Sequence, residues 1–313
     1  MAKNSNLHAA KVAKNDEFYT MLTDIEKEMS YYKDFFKGKV VYCNCDDARE
    51  SNFFKYFSKN FEFLGLKKLI TTGYKAEGKG VVLVYEGDKN GNRKVEDNEI
   101  VVRQLEGSGD FRSEECIEFL KEADVVVTNP PFSLFREYVK QLMDYGKKFI
   151  IIGNQNAITY KEIFPYIKNN ELWLGVSMNG ANRWFYAPDN YEVKENAAGY
   201  KVEDGRKMFF VNGVVWFTNI SNEKRNKKLD LFRRYSNEYP KYDNYDAIEV
   251  SRVENIPMDY DGVMGVPISF LHKYNPEQFE IVGNEYSENI EKGRTYVNGK
   301  RMYSRIFIKK VSA

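Results

Sequence analysis

The sequence predicts an α/β fold: a doubly wound, mostly parallel sheet with a terminal antiparallel hairpin, followed by a smaller C-terminal region. Residues 123–153 read as strand, helix, strand, the unit that joins parallel neighbours. The run ADVVVTNPPF, from residue 123, is continuously apolar until its end, as a strand buried on both faces requires. Before it, short β-branched runs alternate with helical stripes.

In order along the chain, 15–36 carries apolar positions at 18, 21, 22, 25, 29 and 32, the stripe of a helix. KGKVVYCNC (37–45) is a strand, and Ser51 is placed to cap a helix ending at Gly65. KKLITTGY (67–74) is the second strand, and two alternating runs within 78–105 flank a Gly/Asn/Asp turn, an inserted hairpin. SEECIEFLKEA is a helix. After NPPF, Ser133 is the expected N-cap of a helix whose stripe is Leu134, Phe135, Tyr138, Val139, Leu142 and Met143, with KKFIIIGNQNAI as the next strand. ELWLGVS, RWFYAP and KMFFVNGVVWFTNI read as strands, the last a hairpin turned at Asn212-Gly213. The C-terminal TYVNGKRMYSRIFIKK reads as a basic hairpin turned at Asn298-Gly299. The expected domains are 1–221 and 222–313.

Composition narrows the function. With 42% hydrophobic and 15% aromatic residues the chain is globular, and no apolar run approaches the ~20 residues of a membrane span. The first twenty residues lack the apolar core of a secretory signal, so the expectation is cytoplasmic. Three cysteines (Cys43, Cys45, Cys116) and two histidines (His8, His272) do not make a zinc site, and no metal is expected. The formal charge is only +1, but it is uneven. Residues 291–310 hold seven Lys or Arg against one Glu, and 224–234 hold six against one Asp. Solvated faces are the commoner meaning of such runs; both also suit a phosphate backbone.

The chemistry points to 129–132. Pro130 and Pro131 remove two backbone donors and hold Asn129 extended, so the strand stops there. In open α/β sheets ligands sit beyond the carboxyl ends of strands. The Asn129 amide carbonyl and the Pro130 carbonyl form a rigid pair of acceptors, and the Phe132 ring offers a stacking face. Together they suit a flat heteroaromatic bearing an amino group.

NPPF after a buried strand resembles the catalytic motif of amino-group methyltransferases that use S-adenosylmethionine. NDEFYT (15–20) looks like the N-terminal cofactor motif of adenine-specific DNA methyltransferases, and GDF (109–111) like their acidic motif. With VVYCNCDDARESNFFKYF and GVPISFLHKYNPEQFEIVG, the chain is similar nearly end to end to the EcoRI-type adenine-specific modification methylases. The resemblance implies a Rossmann-like catalytic domain and methyl transfer to adenine N6 in double-stranded DNA by base flipping. It implies catalytic Asn129, Pro130, Pro131 and Phe132, and S-adenosylmethionine held by Phe18, Tyr19, Thr20, Asp110 and Phe111. Asp46 is placed to pair the cofactor's amino group, in a loop that lacks the glycines most methyltransferases carry there. DNA contacts fall to Lys224, Arg225, Lys300, Arg301 and Arg305. A monomer is expected, in restriction-modification or in phage or host DNA marking, the former with a cognate restriction endonuclease. Two alternatives stand beside this reading. One is an RNA- or glutamine-directed methyltransferase, where Tyr commonly follows NPP; the other is a non-catalytic DNA-binding protein on the same scaffold.

Overall fold

The computed structural model of the chain describes residues 19–45, 47–180, 182–187, 199–203, 205–288, 290 and 293–311. The chain forms two compact units, one drawn from Met1–Gln155 and Gly175–Ile220, the other from Asn156–Leu174 and Ser221–Ala313. The expected division at 221/222 leaves 156–174 with the first part. Here that stretch folds with the second, because the short helix Phe164–Lys168 packs its buried Phe164 and Ile167 side against the strand Phe279–Asn284.

Among the described residues the first unit begins with α1 (Leu22–Met29) and a 3-10 turn at Lys33–Phe36, so the stripe expected over 15–36 is not one continuous helix there. Then follow β1 (Val40–Cys43), α2 (Asn52–Lys59), α3 (Phe61–Leu64) and β2 (Lys68–Gly73). Ser51 caps α2 by accepting the Phe53 amide at 3.1 Å, and Gly65 ends α3 in the left-handed region at φ 62°. β3 (Val81–Tyr85) and β4 (Ile100–Gln104) form the inserted antiparallel hairpin. α4 (Glu114–Glu122), capped by Ser113, leads to β5 (Val125–Thr128), α5 (Phe135–Asp144) and β6 (Lys148–Asn154). β7 (Trp173–Asn179), β8 (Arg183–Tyr186), β9 (Tyr200–Glu203), β10 (Arg206–Val211) and β11 (Val214–Thr218) complete it.

Eight strands form one sheet in the order β4-β3-β2-β1-β5-β6-β11-β7. Its centre, β2-β1-β5-β6, is parallel. On one face Val41, Cys43, Val125, Val127, Ile150 and Ile152 join Ile25 and Met29 of α1 and Phe53 and Phe57 of α2 in one core. On the other, Tyr42 meets Phe119 of α4 and Phe217 meets Phe135 of α5. The unit is thus a mixed α/β structure around a large sheet with helices against both faces.

One expectation fails. Asn212-Gly213 turns the chain, yet β10 and β11 do not pair: β10 lies between β8 and β9 in a separate sheet, and β11 runs antiparallel to β6. Burial explains the choice. All five residues of β11 are buried, so it needs a sheet covered on both faces, whereas Arg206 and Phe210 of β10 are exposed.

In the second unit, Phe164–Lys168 is α6, and the strands are β12 (Ile248–Glu249), β13 (Met264–Pro267), β14 (Phe279–Asn284), β15 (Tyr296–Val297), β16 (Lys300–Arg301) and β17 (Arg305–Lys310). Four of them form a sheet in the order β12-β13-β17-β14. β15 and β16 make the predicted hairpin, with Asn298 at φ 49° and Gly299 at φ 72°, the two positive angles of a type I′ turn. The Asp243 carboxylate accepts both turn amides, at 3.0 and 2.7 Å.

Arg305 is a correction to the DNA-contacting set. It is 5% exposed, and its guanidinium forks onto Glu249 at 2.6 and 3.0 Å, with Tyr242 donating to the same carboxylate. A group so enclosed holds the sheet together and cannot also reach a phosphate. Removing one partner strands a buried charge, so Arg305→Ala is expected to destabilise the second unit by about 3–5 kcal/mol, read as a lowered urea midpoint.

Candidate active site

The parallel strands β1 and β5 have no exposed residue, and polar side chains appear as they end. After β1, Asn44 is buried and Cys45 takes φ 65°, a left-handed angle that glycine adopts without strain. Thr128, the last residue of β5, donates its hydroxyl to the Asn44 carbonyl. Tyr138 of α5 donates to Asn44 Oδ1, as does the Cys45 thiol at 3.5 Å. Asp47 accepts the Arg49 and Glu50 amides at 2.9 and 2.8 Å and so closes the turn into α2. Asp46, expected to meet the cofactor's amino group, lies outside the described residues.

The GDF segment is pressed against the same edge by three glycines. A Cβ on Gly109 would stand 2.5 Å from the Gly73 carbonyl oxygen, one on Gly80 would stand 2.6 Å from that oxygen, and one on Gly73 would stand 3.0 Å from the Ala48 amide. The backbones after β1, after β2 and before α4 therefore meet directly. Asp110 accepts from the Arg112 backbone at 2.9 Å and from its guanidinium at 2.8 and 2.5 Å, and this partner holds the carboxyl below the ordinary range. Of the roughly four lone-pair sites of a carboxylate, about one remains for a ligand. Phe111 turns inward, 5% exposed, its ring 5.0 Å from that of Tyr138 in an edge-to-face contact. It supports the loop and leaves Asp110 as the accessible member of the motif.

Asn129 is 6% exposed, and Pro130 and Pro131 are buried. Phe132 begins a 3-10 turn, Phe132–Leu134, closed by the Leu134 amide on the Pro131 carbonyl at 3.0 Å. α5 starts only at Phe135, and its N-cap residue is Leu134, without a side-chain cap. Ser133 is therefore not the expected cap, because the proline-fixed backbone enters the tighter turn first. Phe132 is half-buried and rests on the core shared with α1 and α2.

Of the N-terminal motif, Phe18 lies outside the described residues. Tyr19 exchanges backbone hydrogen bonds with Tyr186, at 2.8 and 3.0 Å. Thr20 is fully buried; its carbonyl accepts Asn52 Nδ2 at 2.7 Å, while its hydroxyl has no hydrogen-bond partner among the described residues.

Of the residues expected on DNA, Lys224, Lys300 and Arg301 are exposed. Arg225 is half-buried, its guanidinium 3.7 Å from the Trp173 ring centroid and bonded to Asn170, and this desolvation lowers its pKa. Like Arg305, it is held by its own unit. Sequence reasoning missed Asn44 and the hydroxyl of Tyr138. The signal was a tyrosine within an otherwise apolar helical stripe.

Residues 6–311 match the family described as the EcoRI adenine-specific methyltransferase. The chain belongs to that family. It is 49% identical to the Type II methyltransferase M.EcoRI of Escherichia coli, over 98% of this chain and 97% of that one. It is 39% identical to M.MpnI of Mycoplasma pneumoniae, over 96% of each chain, and 38% identical to M.MgeORF184P of Mycoplasma genitalium, over 97% of this chain and 98% of that one. Both are also named Type II methyltransferases.

For this family member the glycine contacts set a graded expectation. Gly109→Ala meets both a left-handed backbone, costing about 1–2 kcal/mol, and an overpacked contact, costing about 1–3 kcal/mol. Gly91→Ala, at φ 77° with nothing within 4 Å of the added carbon, meets only the first. Thermal melts of the two variants compare them directly, and Gly109→Ala should melt lower.

Proposed function

We propose that the protein is a site-specific DNA methyltransferase that uses S-adenosylmethionine to methylate N6 of an adenine flipped out of duplex DNA. Family membership supports the reaction class. The observation that carries the site is the convergence, on one edge of the sheet, of the Asn129 turn, the Asn44 loop and the glycine-packed Asp110 segment. A doubly wound methyltransferase fold is part of the proposal, with the unit of Met1–Gln155 and Gly175–Ile220 as the catalytic part and the unit of Asn156–Leu174 and Ser221–Ala313 as the recognition part. So are a monomeric enzyme, a cytoplasmic location and, in a restriction-modification setting, an endonuclease cutting the same sequence. Among the described residues no helix is long and apolar enough to cross a membrane.

The cofactor supplies a methyl group on a positively charged sulfur, a leaving group that needs no metal. Tyr19, Thr20 and Asp110 are the residues that would hold it, with Phe18 and Asp46 as further candidates. The chain's task is the amine. The N6 lone pair is delocalised into the purine, so N6 is a poor nucleophile. The Asn129 side-chain carbonyl and the Pro130 carbonyl accept its two hydrogens, which favours a pyramidal nitrogen with its lone pair free. With the cofactor bound, the methyl would pass to that lone pair while the sulfur leaves as a neutral thioether, and N6, still held by Asn129 and Pro130, would release one proton to water. Orientation and preorganised acceptors do the work, and Phe132 stacks on the base.

Asn129→Ala is expected to keep cofactor and DNA binding while turnover falls about 100-fold or more, checked by single-turnover methylation beside calorimetry. Methylation-aware sequencing of DNA from a host expressing the chain reports base, position and context; unmethylated adenine throughout would sink the proposal. Replacing Lys300 and Arg301 by Ala should weaken specific and random duplexes alike. The salt slope should fall by about 0.9 for each phosphate that is no longer neutralised, measured by titration at several ionic strengths.

A further inference from the structure

α5 is the helix that follows NPPF, and it touches more of the site than its N-terminus. Tyr138 is fully enclosed. Its hydroxyl donates to Asn44 Oδ1, its ring packs edge-on against Phe111, and one turn later Gln141 Nε2 donates to the Phe111 carbonyl at 3.2 Å. Glu137 lies 3.4 Å from Arg112, the partner of Asp110. The Asn44 carbonyl in turn takes the hydroxyl of Thr128, the residue before Asn129. One side chain thus joins the loop after β1, the acidic segment and the end of β5.

We propose that Tyr138 is a positioning residue: through Asn44 and Phe111 it sets the cofactor-facing loops in register with the turn that holds the target amine. The inference rests on the methyltransferase reading above. Burial pushes the phenol well above its ordinary pKa, so the hydroxyl stays protonated and the bond to Asn44 keeps one direction through the working range. Tyr138→Phe deletes that bond and the hydroxyl's smaller interaction with the Cys45 thiol, while the ring still packs on Phe111.

The expected result for Tyr138→Phe is cofactor affinity weakened by about tenfold, with the KM for S-adenosylmethionine raised in step and the melting temperature lowered by only about a few degrees. A role in folding alone would lower the active fraction and apparent kcat and leave KM where it was. Asn44→Ala should weaken the cofactor similarly, and the double variant should be no worse than either single one, since both remove the same link. Should Phe at 138 prevent folding, Asn44→Ala carries the same KM test. Calorimetry with S-adenosylmethionine on the full chain separates the two levels of the argument. If the unaltered chain does not bind it, the methyltransferase reading fails. If the unaltered chain binds it and Tyr138→Phe binds equally well, or the two substitutions add, the positioning role is overturned.

Discussion

A strand buried on both faces has nowhere to put a polar side chain except near its end, and that constraint organises the first unit. Val40–Cys43 and Val125–Thr128 are covered by α1 and α2 on one face and by α4 and α5 on the other. Each strand reaches its carboxyl end before it presents an asparagine, Asn44 in one case and Asn129 in the other. The proline pair after Asn129 removes two donors, so the ladder cannot run on and hide the site. Thr128 and Tyr138 then bond to Asn44 rather than to water. Polar groups enclosed this way are costly unless satisfied, which is why they are arranged in one geometry and not several.

The loop after β1 makes its turn without glycine. Without the usual glycines, Cys45 takes the left-handed angle, Asp47 and Ser51 close the turn with their side chains, and the close backbone approach moves elsewhere. Gly73, Gly80 and Gly109 provide it, from three separate segments. The glycine requirement has been redistributed in space. A reading confined to the segment after the first strand sees only its absence.

What the residues disclosed followed from local rules. The proline pair, the capping Ser51, the helix end at Gly65 and the Asn298-Gly299 turn each depend on neighbours a few positions away, and each was legible. What was not legible depended on distant partners. Asn212-Gly213 has the chemistry of a hairpin turn, but full burial sends β11 to β6 instead. Arg305 and Arg225 counted as positive charge until Glu249 and Trp173 were found beside them. Tyr138 reads as one more apolar position, since nothing in its own helix announces Asn44, 94 residues earlier.

The order β6-β11-β7 also bears on how the chain is made. β7 leaves the ribosome well before Val214–Thr218, the strand it must lie beside, while β6 is already available. Until β11 is synthesised, β7 has no place in the sheet, and β6 presents a bare margin with Phe149, Ile150, Ile151 and Ile152 at its centre. The intervening residues, including the small three-stranded sheet, are therefore made while the main sheet is unfinished. Closure of that margin is a long-range, late event, so a nascent chain stalled before residue 214 exposes a sticky edge of the sort that chaperones hold.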